Sequence, residues 1–475
     1  MSVKKILVAA ALAGLSTTSA FAADLPARIY TKAPPIAVAY DWSGFYLGVN
    51  AGLGLGRSPT SLATPRTLES ASAIVGREGA IGGGQLGYNL QFGTWVLGVE
   101  TDIQAASMRD NRFCGDECTP ITGRAYTVDQ RLNWFGTTRG RIGLATGPVL
   151  SYVTGGFAYG GVNTDVATVL GPNLSSGSFN QTRTGYTYGS GVEASLGGNW
   201  TGKLEYLYLN LGTQSGGFGT GPFPGIFNSE IREHIFRAGL NYRIGGNAAY
   251  AAAPVANWSG FYIGGNAGGA LARNSTATNG INNVGNPFAT ETSELMPNGF
   301  LGGVQAGYNW QAANWVFGLE TDIQGSTQKD NENCMLTCAT GGTFLMVDQR
   351  MSWLGTVRGR LGYSLGSTLF YGTAGLAYGG IENRLSGSVS LPVATSFNHT
   401  RTGWTAGGGI ETPFELFGLF GRNWTSKTEY LYVDLGNISD TDSTFNIITI
   451  SSHVHEHIFR SGLNYHFNAP VVARY

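Results

Sequence analysis

Glu233–Tyr242 reads EHIFRAGLNY, and Glu456–Tyr465 reads EHIFRSGLNY. From Phe236 onward every second residue of the first segment is apolar or small, whereas the residues between them include Arg237 and Asn241. A period of two residues is that of a β-strand with one apolar and one polar face. In a soluble protein the apolar face would form the core. In a membrane-spanning barrel it would face lipid, and the polar face would line the interior.

The first 22 residues have the features of a secretory signal peptide. Lys4 and Lys5 form a charged start, Ile6–Leu15 is an apolar run, and Ala20–Ala22 is a small-x-small cleavage site. The run is too short to span a bilayer, and no later stretch offers ~20 uninterrupted apolar residues. We therefore predict an exported protein that has no membrane-spanning helix.

The composition points in the same direction. The chain has 73 glycines, 12% aromatic residues and only 12% charged residues, whereas an ordinary globular domain carries about 25% charge. Abundant glycine and aromatic residues with little charge fit many twisted strands with lipid-facing girdles. The net charge of -1 provides no basic surface for nucleic acid.

The sequence contains an internal duplication with a period far too long for a solenoid. We predict a signal peptide at 1–22, linkers at 23–40 and 246–256, and repeats at 41–245 and 257–475. The repeats share five motifs in the same order: Trp42–Tyr46 with Trp258–Tyr262, Leu97–Gln104 with Phe317–Gln324, Val128–Arg131 with Val347–Arg350, Thr138–Arg141 with Val357–Arg360, and Glu205–Tyr208 with Glu429–Tyr432.

Each repeat offers eight strand candidates. In the first repeat they lie near 44–54, 81–92, 95–107, 126–146, 149–164, 181–196, 200–212 and 231–245. The connections alternate between two or three residues and long Ser/Thr/Asn-rich segments near 57–79, 108–125, 165–180 and 213–229. Alternating short turns and long loops are typical of an outer-membrane barrel with periplasmic turns and extracellular loops.

These motifs resemble the outer-membrane immunogenic proteins of rhizobial and related bacteria. The resemblance rests on the Trp-Ser-Gly-Phe-Tyr strand, the Val-Glu-Thr-Asp hairpin, the Arg-Gly-Arg strand, the Glu-Tyr-Leu-Tyr strand and the closing strand, and it covers nearly the whole mature chain twice. It implies eight-stranded, OmpA/OmpX-like barrels in the cell outer membrane. The family's usual member has one barrel, so the tandem arrangement is a departure.

The predicted fold is all-β, with two tandem eight-stranded antiparallel transmembrane barrels. Each repeat has its own first and closing strand, and an even strand number returns the chain to the periplasm after Ile244. The alternative is one sixteen-stranded barrel with a water-filled lumen.

Strand alternation places a balanced set of charges on the inward face. A charge is costly in hydrocarbon, and an eight-stranded barrel is only just wide enough for its own side chains. We therefore predict a salt-bridge plug rather than a conducting path. The predicted interior charges are Glu100, Asp102, Arg139, Arg141, Glu193, Lys203, Glu205 and Arg237, with Glu320, Asp322, Arg358, Arg360, Glu411, Lys427, Glu429 and Arg460 in the second repeat.

The four cysteines form two close pairs, Cys114/Cys118 and Cys334/Cys338. Because an exported chain meets an oxidising compartment, we predict a small-loop disulfide in the second extracellular loop of each repeat. Zinc binding is the alternative, although neither pair has a neighbouring ligand at zinc-site spacing.

Three further motifs carry weaker signals. Gly82–Gly87 matches a dinucleotide fingerprint in letters only, because no helix follows it. His453, His455 and His457 share one strand face and could bind a metal, but the first repeat keeps only His234. The Glu233-His234 neighbours point to opposite faces of a strand, so we predict no catalysis and no cofactor.

Several aromatic residues are interpreted as interfacial girdle: Trp42, Tyr46, Trp95, Tyr206, Tyr208, Tyr242 and their second-repeat counterparts.

The sequence leaves three functions open: a structural surface antigen with closed barrels, a sixteen-stranded porin for small solutes, and an adhesin or receptor acting through its loops. The expected partners are outer-membrane lipid, lipopolysaccharide and the barrel-assembly machinery, which would recognise the C-terminal strand. A homo-oligomeric state is left open.

Overall fold

The structure is a computed structural model built almost entirely from antiparallel strands. It describes residues 40–64, 69–114, 124–170, 173–219, 224–245, 256–281, 287–333, 344–389, 391–414, 420–421, 423–442 and 447–468. No helix in this part of the chain is both long and apolar enough to cross a membrane. The predicted signal peptide, nearly all of both predicted linkers, and Cys118, Cys334 and Cys338 lie outside the described residues, while Cys114 ends a strand.

Each repeat forms ten strands in the same order. The first repeat contains β1 (Gly44–Gly56), β2 (Ser58–Thr64), β3 (Glu69–Val75), β4 (Glu78–Phe92), β5 (Trp95–Cys114), β6 (Arg124–Thr146), β7 (Val149–Leu170), β8 (Asn173–Gly197), β9 (Trp200–Phe218) and β10 (Gly225–Ile244). The second contains β11 (Gly260–Ala272), β12 (Asn274–Ile281), β13 (Pro287–Leu295), β14 (Asn298–Ala312), β15 (Trp315–Asn333), β16 (Phe344–Leu365), β17 (Thr368–Val389), β18 (Leu391–Pro413), β19 (Trp424–Asp442) and β20 (Ile447–His466).

Eight strands of each repeat close into a ring. β1 pairs with β4 on one side and with β10 on the other, from Phe45 opposite Ile244 to Gly56 opposite Glu233. β11 pairs in the same way with β14 and β20. The prediction of two tandem eight-stranded barrels is confirmed, and the sixteen-stranded alternative is wrong. The first and last strands of one repeat satisfy each other's backbone groups, which leaves no edge to pair with the other repeat.

The strands extend far beyond the predicted bounds. The segments near 108–125, 165–180 and 213–229, predicted as loops, are largely strand in the described residues, and the segment near 57–79 contains the hairpin β2–β3. β2 pairs with the top of β10, opposite Ile226–Ser229. These extensions are rich in Ser, Thr and Asn, so the apolar alternation that marks a lipid-facing strand stops before the strand does.

The outer wall carries an apolar band between two aromatic belts. At the end with the short turns, the rings of Trp200 and Tyr242 lie 5.1 Å apart. At the other end, Tyr188 and Tyr208 lie 5.0 Å apart. Most exposed side chains between these belts are apolar and include Leu47, Val49, Leu97, Val99, Ile103, Val153 and Phe157. This surface suits a hydrocarbon solvent rather than water.

The two barrels touch through equivalent faces. Phe236 lies 6.2 Å from its counterpart Phe459, and it also contacts Tyr430, while Phe459 contacts Tyr206 in return. The Phe236–Tyr430 contact therefore has an equivalent in the Phe459–Tyr206 contact, and the Phe236–Phe459 contact is its own equivalent. Reciprocal contacts between equivalent residues define an isologous, two-fold interface, here formed within one chain.

Two equivalent arginines complete this interface beyond the aromatic cluster. Arg57 of the first repeat forms an ion pair with Asp330 of the second. Arg273, which occupies the same place in the second repeat, donates a 2.7 Å hydrogen bond to the carbonyl oxygen of Gly56. Each arginine thus reaches from its own barrel to the other.

One short turn differs between the repeats in a way that predicts a stability change. The turn between β4 and β5 places Gly93 at a φ of 62°, and the equivalent Ala313 adopts a φ of 53°. A left-handed conformation costs a non-glycine residue about 1–2 kcal/mol. Glycine avoids this cost in the folded protein, but it also raises the conformational entropy of the unfolded chain, which offsets part of the gain in stability. We therefore expect Ala313→Gly to stabilise the second barrel by about 0.5–1 kcal/mol in urea unfolding.

The matched control is Gly93→Ala in the first barrel. A Cβ at Gly93 would meet no atom within 4 Å, so its effect arises from the backbone alone. A destabilisation of the same size is expected. Equal stabilities for wild type and both variants would contradict the strain argument.

Candidate functional site: the filled barrel interior

The interior of each barrel contains the predicted charges. All sixteen face inward, and none is more than 4% exposed. They come from β5, β6, β8, β9 and β10 in the first repeat and from the equivalent strands in the second. The residues are Glu100, Asp102, Arg139, Arg141, Glu193, Lys203, Glu205 and Arg237, and Glu320, Asp322, Arg358, Arg360, Glu411, Lys427, Glu429 and Arg460.

Arg139 lies at the centre of the first network. Its guanidinium forms ion pairs with Glu100, with Asp102 at 3.0 Å and with Glu205 at 3.0 Å. These carboxylates belong to β5 and β9, so the arginine on β6 bridges across the lumen. One planar cation with several donors suits this position because it can bind three anions at once.

Two further cations neutralise the same carboxylates. The Nζ atom of Lys203 lies 2.9 Å from Glu100. Arg237 lies 2.9 Å from Asp102 and 2.6 Å from Glu205. Three cations and three carboxylates therefore form one connected cluster. Its balanced charge offsets the desolvation that burial imposes on each ion.

A second ion pair lies beside this cluster. Arg141 contacts Glu193 at 3.0 Å, and the other oxygen of Glu193 accepts hydrogen bonds from Thr201 and Asn241. The Arg141 guanidinium also lies 4.6 Å from the centre of the Tyr46 ring, at cation–π distance. Both carboxylate oxygens of Glu193 are therefore bound by groups of the protein.

The second barrel repeats the arrangement. Arg358 binds Glu320, Asp322 and Glu429, with the last two distances at 3.0 and 3.2 Å. Lys427 and Arg460 complete this cluster. Arg360 pairs with Glu411 at 2.7 Å, and Glu411 has an additional neighbour, His466, at 3.2 Å.

Two tyrosines per barrel, which were not predicted to lie inside, belong to the network. The hydroxyl of Tyr46 donates to Glu100 at 2.7 Å, and that of Tyr152 donates to Glu205 at 2.9 Å. The girdle assignment of Tyr46 is wrong, as is that of Trp42, because both are only 1% exposed. The signal was present in the sequence, since Tyr46 alternates with the outward-facing Phe45.

The ring of Tyr46 needs a glycine beside it. A Cβ at Gly87 would lie 2.2 Å from the tyrosine hydroxyl. Gly307 and Tyr262 repeat the pair in the second barrel. The Gly82–Gly87 segment therefore lies within β4 and makes room for side chains inside the barrel, rather than forming a phosphate loop.

An apolar layer fills the lumen on the outer side of the charge cluster. In the first barrel it consists of Ile81, Met108, Leu132, Phe135, Ala158, Val162, Leu207, Leu209, Leu211, Ile231 and Ile235. The inward face of β9 thus changes from Lys203 and Glu205 to leucine within two residues. This layer was not predicted, because both faces of Glu205-Tyr-Leu-Tyr-Leu209 are apolar beyond the acid, which hides the alternation.

A buried polar contact beside the apolar layer differs between the repeats. In the first barrel the buried Arg77 pairs with Glu233 and also contacts Gln130. In the second barrel Pro297 occupies the position of Arg77, and Glu456 accepts a 2.5 Å hydrogen bond from Gln328 instead. A buried ion pair in one barrel is thus replaced by an acid–amide pair in the other.

Three histidines, His234, His453 and His457, make local contacts on the outer wall. His234 bonds to the hydroxyl of Tyr206 at 2.8 Å, and its neighbour Glu233 points inward, on the opposite face. His457 bonds to Tyr430 in the same manner. His453 bonds to Asn437. Within the described residues, no group of three or more His, Cys, Asp or Glu side chains is placed to hold a metal ion.

Comparison with known proteins identifies the family. The model of the outer membrane protein beta-barrel domain matches the chain twice, at residues 7–243 and 244–467. The chain belongs to this family. It carries two copies of the domain, and its location is the cell outer membrane.

Curated relatives agree with this assignment. The 31 kDa outer-membrane immunogenic protein of Brucella suis biovar 1 (strain 1330) is 39% identical over 227 residues, which are 46% of this chain and 89% of the relative. The 22 kDa outer membrane protein of Rhizobium leguminosarum bv. viciae is 34% identical over 181 residues, 38% of this chain and 66% of the relative. The resemblance to outer-membrane immunogenic proteins is therefore confirmed.

Among solved structures, Neisserial surface protein A is similar to 44% of this chain. The match covers 98% of that protein at 15% identity and a TM-score of 0.23.

Proposed function

We propose that this protein is a closed pair of barrels with a structural and surface-antigen role in the outer membrane. The observation that carries the proposal is the filled interior of each barrel. The chain's residues provide the partners for the interior charges, so a solute would have to displace them to pass.

The order of the interior layers supports closure. A periplasmic plug that includes Trp42, Val96 and Leu150 is followed by the charge cluster and then by the apolar layer. An ion entering the lumen would lose its hydration at the apolar layer, and the buried charges that lie among these side chains in the first barrel, Arg77 and Glu233, are already paired with each other. Passive diffusion of small solutes, the porin alternative, requires a continuous wet path that this order opposes.

The length of the strands supports display at the surface. A barrel strand needs about 9–11 residues to cross the hydrocarbon, whereas β8 has 25 residues. The excess lies beyond the outer aromatic belt, where β7 and β8 pair through Ser, Thr and Asn residues. Paired strands projecting from the membrane would present ordered epitopes to the outside.

The proposal includes no catalysis. Glu233 and His234 lie on opposite sides of the barrel wall, and the acids of the interior are engaged by arginine, lysine and tyrosine. A general acid or base needs access to a substrate, and these groups lie in a packed lumen.

Planar-bilayer conductance of the refolded mature protein tests the proposal. We expect no stable, porin-like conductance steps at protein amounts that give many steps with a known porin. Arg139→Gly combined with Leu207→Gly removes side-chain volume from both interior layers and should introduce conductance if the lumen is otherwise shut. Large, stable steps from the wild-type protein would overturn the closed-barrel proposal.

A further inference from the structure

Outward-facing cations lie just beyond the outer aromatic belt of each barrel. In the second barrel, Lys329 on β15 is directly opposite Arg350 on β16. Their strand neighbours Gln328 and Gln349 are buried inside the barrel, so Lys329 and Arg350 point away from it, and both are exposed. Two like charges in a directly opposed pair repel each other unless an anion lies between them.

The first barrel shows how such a pair is satisfied. Arg109 is directly opposite Arg131, at the positions equivalent to Lys329 and Arg350. Both guanidinium groups bind the same carboxylate, that of Asp129, at closest distances of 2.6 and 2.7 Å. The hydrogen bond from Arg131 lowers the pKa of Asp129 below its ordinary value, which keeps this bridging carboxylate charged.

In the second barrel no described carboxylate bridges the equivalent cation pair. Lys329 and Arg350 form no hydrogen bond or ion pair with any described residue. Asp348, the counterpart of Asp129, makes none either and lies directly opposite Arg384. Glu382, directly opposite Arg350, is bound by Arg384 at 3.0 Å. Among the described residues of this face the three cations Lys329, Arg350 and Arg384 exceed the two carboxylates, which leaves one positive charge in excess.

The depth of the pair indicates which anion it meets. Trp353, three residues along β16 from Arg350, packs edge-on against Tyr378 in the outer aromatic belt. Aromatic belts lie at the headgroup level of the membrane. A cation pair one step farther out lies at the level of lipid phosphates. In the outer leaflet of this membrane, the phosphates belong to the glycolipid anchor of lipopolysaccharide.

We propose that Lys329 and Arg350 form a binding site for a phosphate group of lipid A, the phosphorylated glucosamine lipid of lipopolysaccharide. The phosphate takes the place that the Asp129 carboxylate holds in the first barrel. Arginine supplies a planar pair of donors and lysine a point charge, a combination that suits a phosphate. The site distinguishes the second repeat from the first, and it does not depend on whether the lumen is closed.

The test measures lipid A binding to the full-length mature protein in detergent by native mass spectrometry. The probe is bisphosphorylated lipid A, compared with lipid A from which both phosphates have been removed. We expect the double variant Lys329→Gln/Arg350→Gln to bind bisphosphorylated lipid A about tenfold more weakly than wild type, since two charge-assisted hydrogen bonds are lost. The dephosphorylated lipid should bind wild type and variant equally.

The first barrel offers a matched control. Arg109→Gln/Arg131→Gln removes two cations from the equivalent place, where Asp129 already occupies the site, and should leave lipid A affinity within about twofold. Asp129→Asn should have the opposite effect and add a second bound lipid A, because it removes the carboxylate that bridges the arginine pair and leaves only the 3.5 Å contact of Arg131 with Asp165. Equal losses in both double variants would show a non-specific charge effect, and unchanged binding in Lys329→Gln/Arg350→Gln would show no site there. Either result overturns the proposal.

Discussion

Replacing Arg139 by alanine is expected to destabilise the first barrel by about 3–5 kcal/mol, the range for removing one partner from a buried ion pair. The variant leaves Glu100, Asp102 and Glu205 with Lys203, Arg237 and the more distant Arg141, which lies 3.7 Å from Glu100. All three acids are buried, so water cannot replace the lost cation. The measurement is unfolding in urea in lipid vesicles, followed by tryptophan fluorescence and by mobility on cold SDS gels.

The tandem chain provides controls for this experiment. Arg131→Ala changes an arginine on the same strand whose side chain is 38% exposed, and it should cost less than about 1 kcal/mol. Arg358→Ala should produce the Arg139→Ala loss in the second barrel, because Arg358 has equivalent partners. An Arg139→Ala profile that matches wild type would mean that water reaches the lumen, against the closed-barrel function.

The first repeat alone, residues 41–245, is expected to fold and to form a two-fold dimer. Folding follows from the ring closure of β1 on β10, which uses no strand of the second repeat. Dimerisation follows from the isologous contact between the barrels. Since Phe236 faces its own counterpart Phe459, a second copy can supply the same face. Analytical ultracentrifugation of the refolded repeat should show a dimer at micromolar concentration.

Phe236→Ala combined with Arg57→Ala is the variant that separates folding from association. Phe236 contributes the central ring, and Arg57 forms the ion pair to the other barrel. The double variant should remain heat-modifiable on SDS gels but sediment as a monomer. Phe157→Ala, at a lipid-exposed ring away from the contact, should leave the dimer intact. A repeat that folds only in the presence of the other half would contradict the separate closure of the two rings.

The period of two in Glu233–Tyr242 determined much of this fold by itself. Alternation fixes which residues share a face, and the cost of a charge in lipid fixes which face is inward. The sixteen interior charges could therefore be predicted from parity alone, without any knowledge of their partners. The duplication likewise follows from letters in the chain, because the same motifs return in the same order.

Where both faces of a strand are apolar or both are polar, parity gives no answer. Leu207 and Leu209 follow Glu205 on the inward face, and the outward face of the same segment carries the aromatic side chains Tyr206 and Tyr208. Because both faces are rich in hydrophobic side chains, alternation did not reveal the apolar layer. The extensions of β7 and β8 were predicted as loops because both of their faces are polar, so they show no alternation. Their strand conformation comes from the ladder with neighbouring strands and not from their own side chains.

Only the tertiary structure decided the partners. Two rings rather than one large barrel required the register of β1 on β10, a contact between residues about 190 apart in the chain. The bridging of Arg139 to three acids on two strands depends on the same closure. The contact between the barrels, with Phe236 on Phe459 and Arg57 on Asp330, has no local signature at all. It depends on the shape of the outer surfaces of the two closed barrels, and the periodicity of the sequence does not encode that shape.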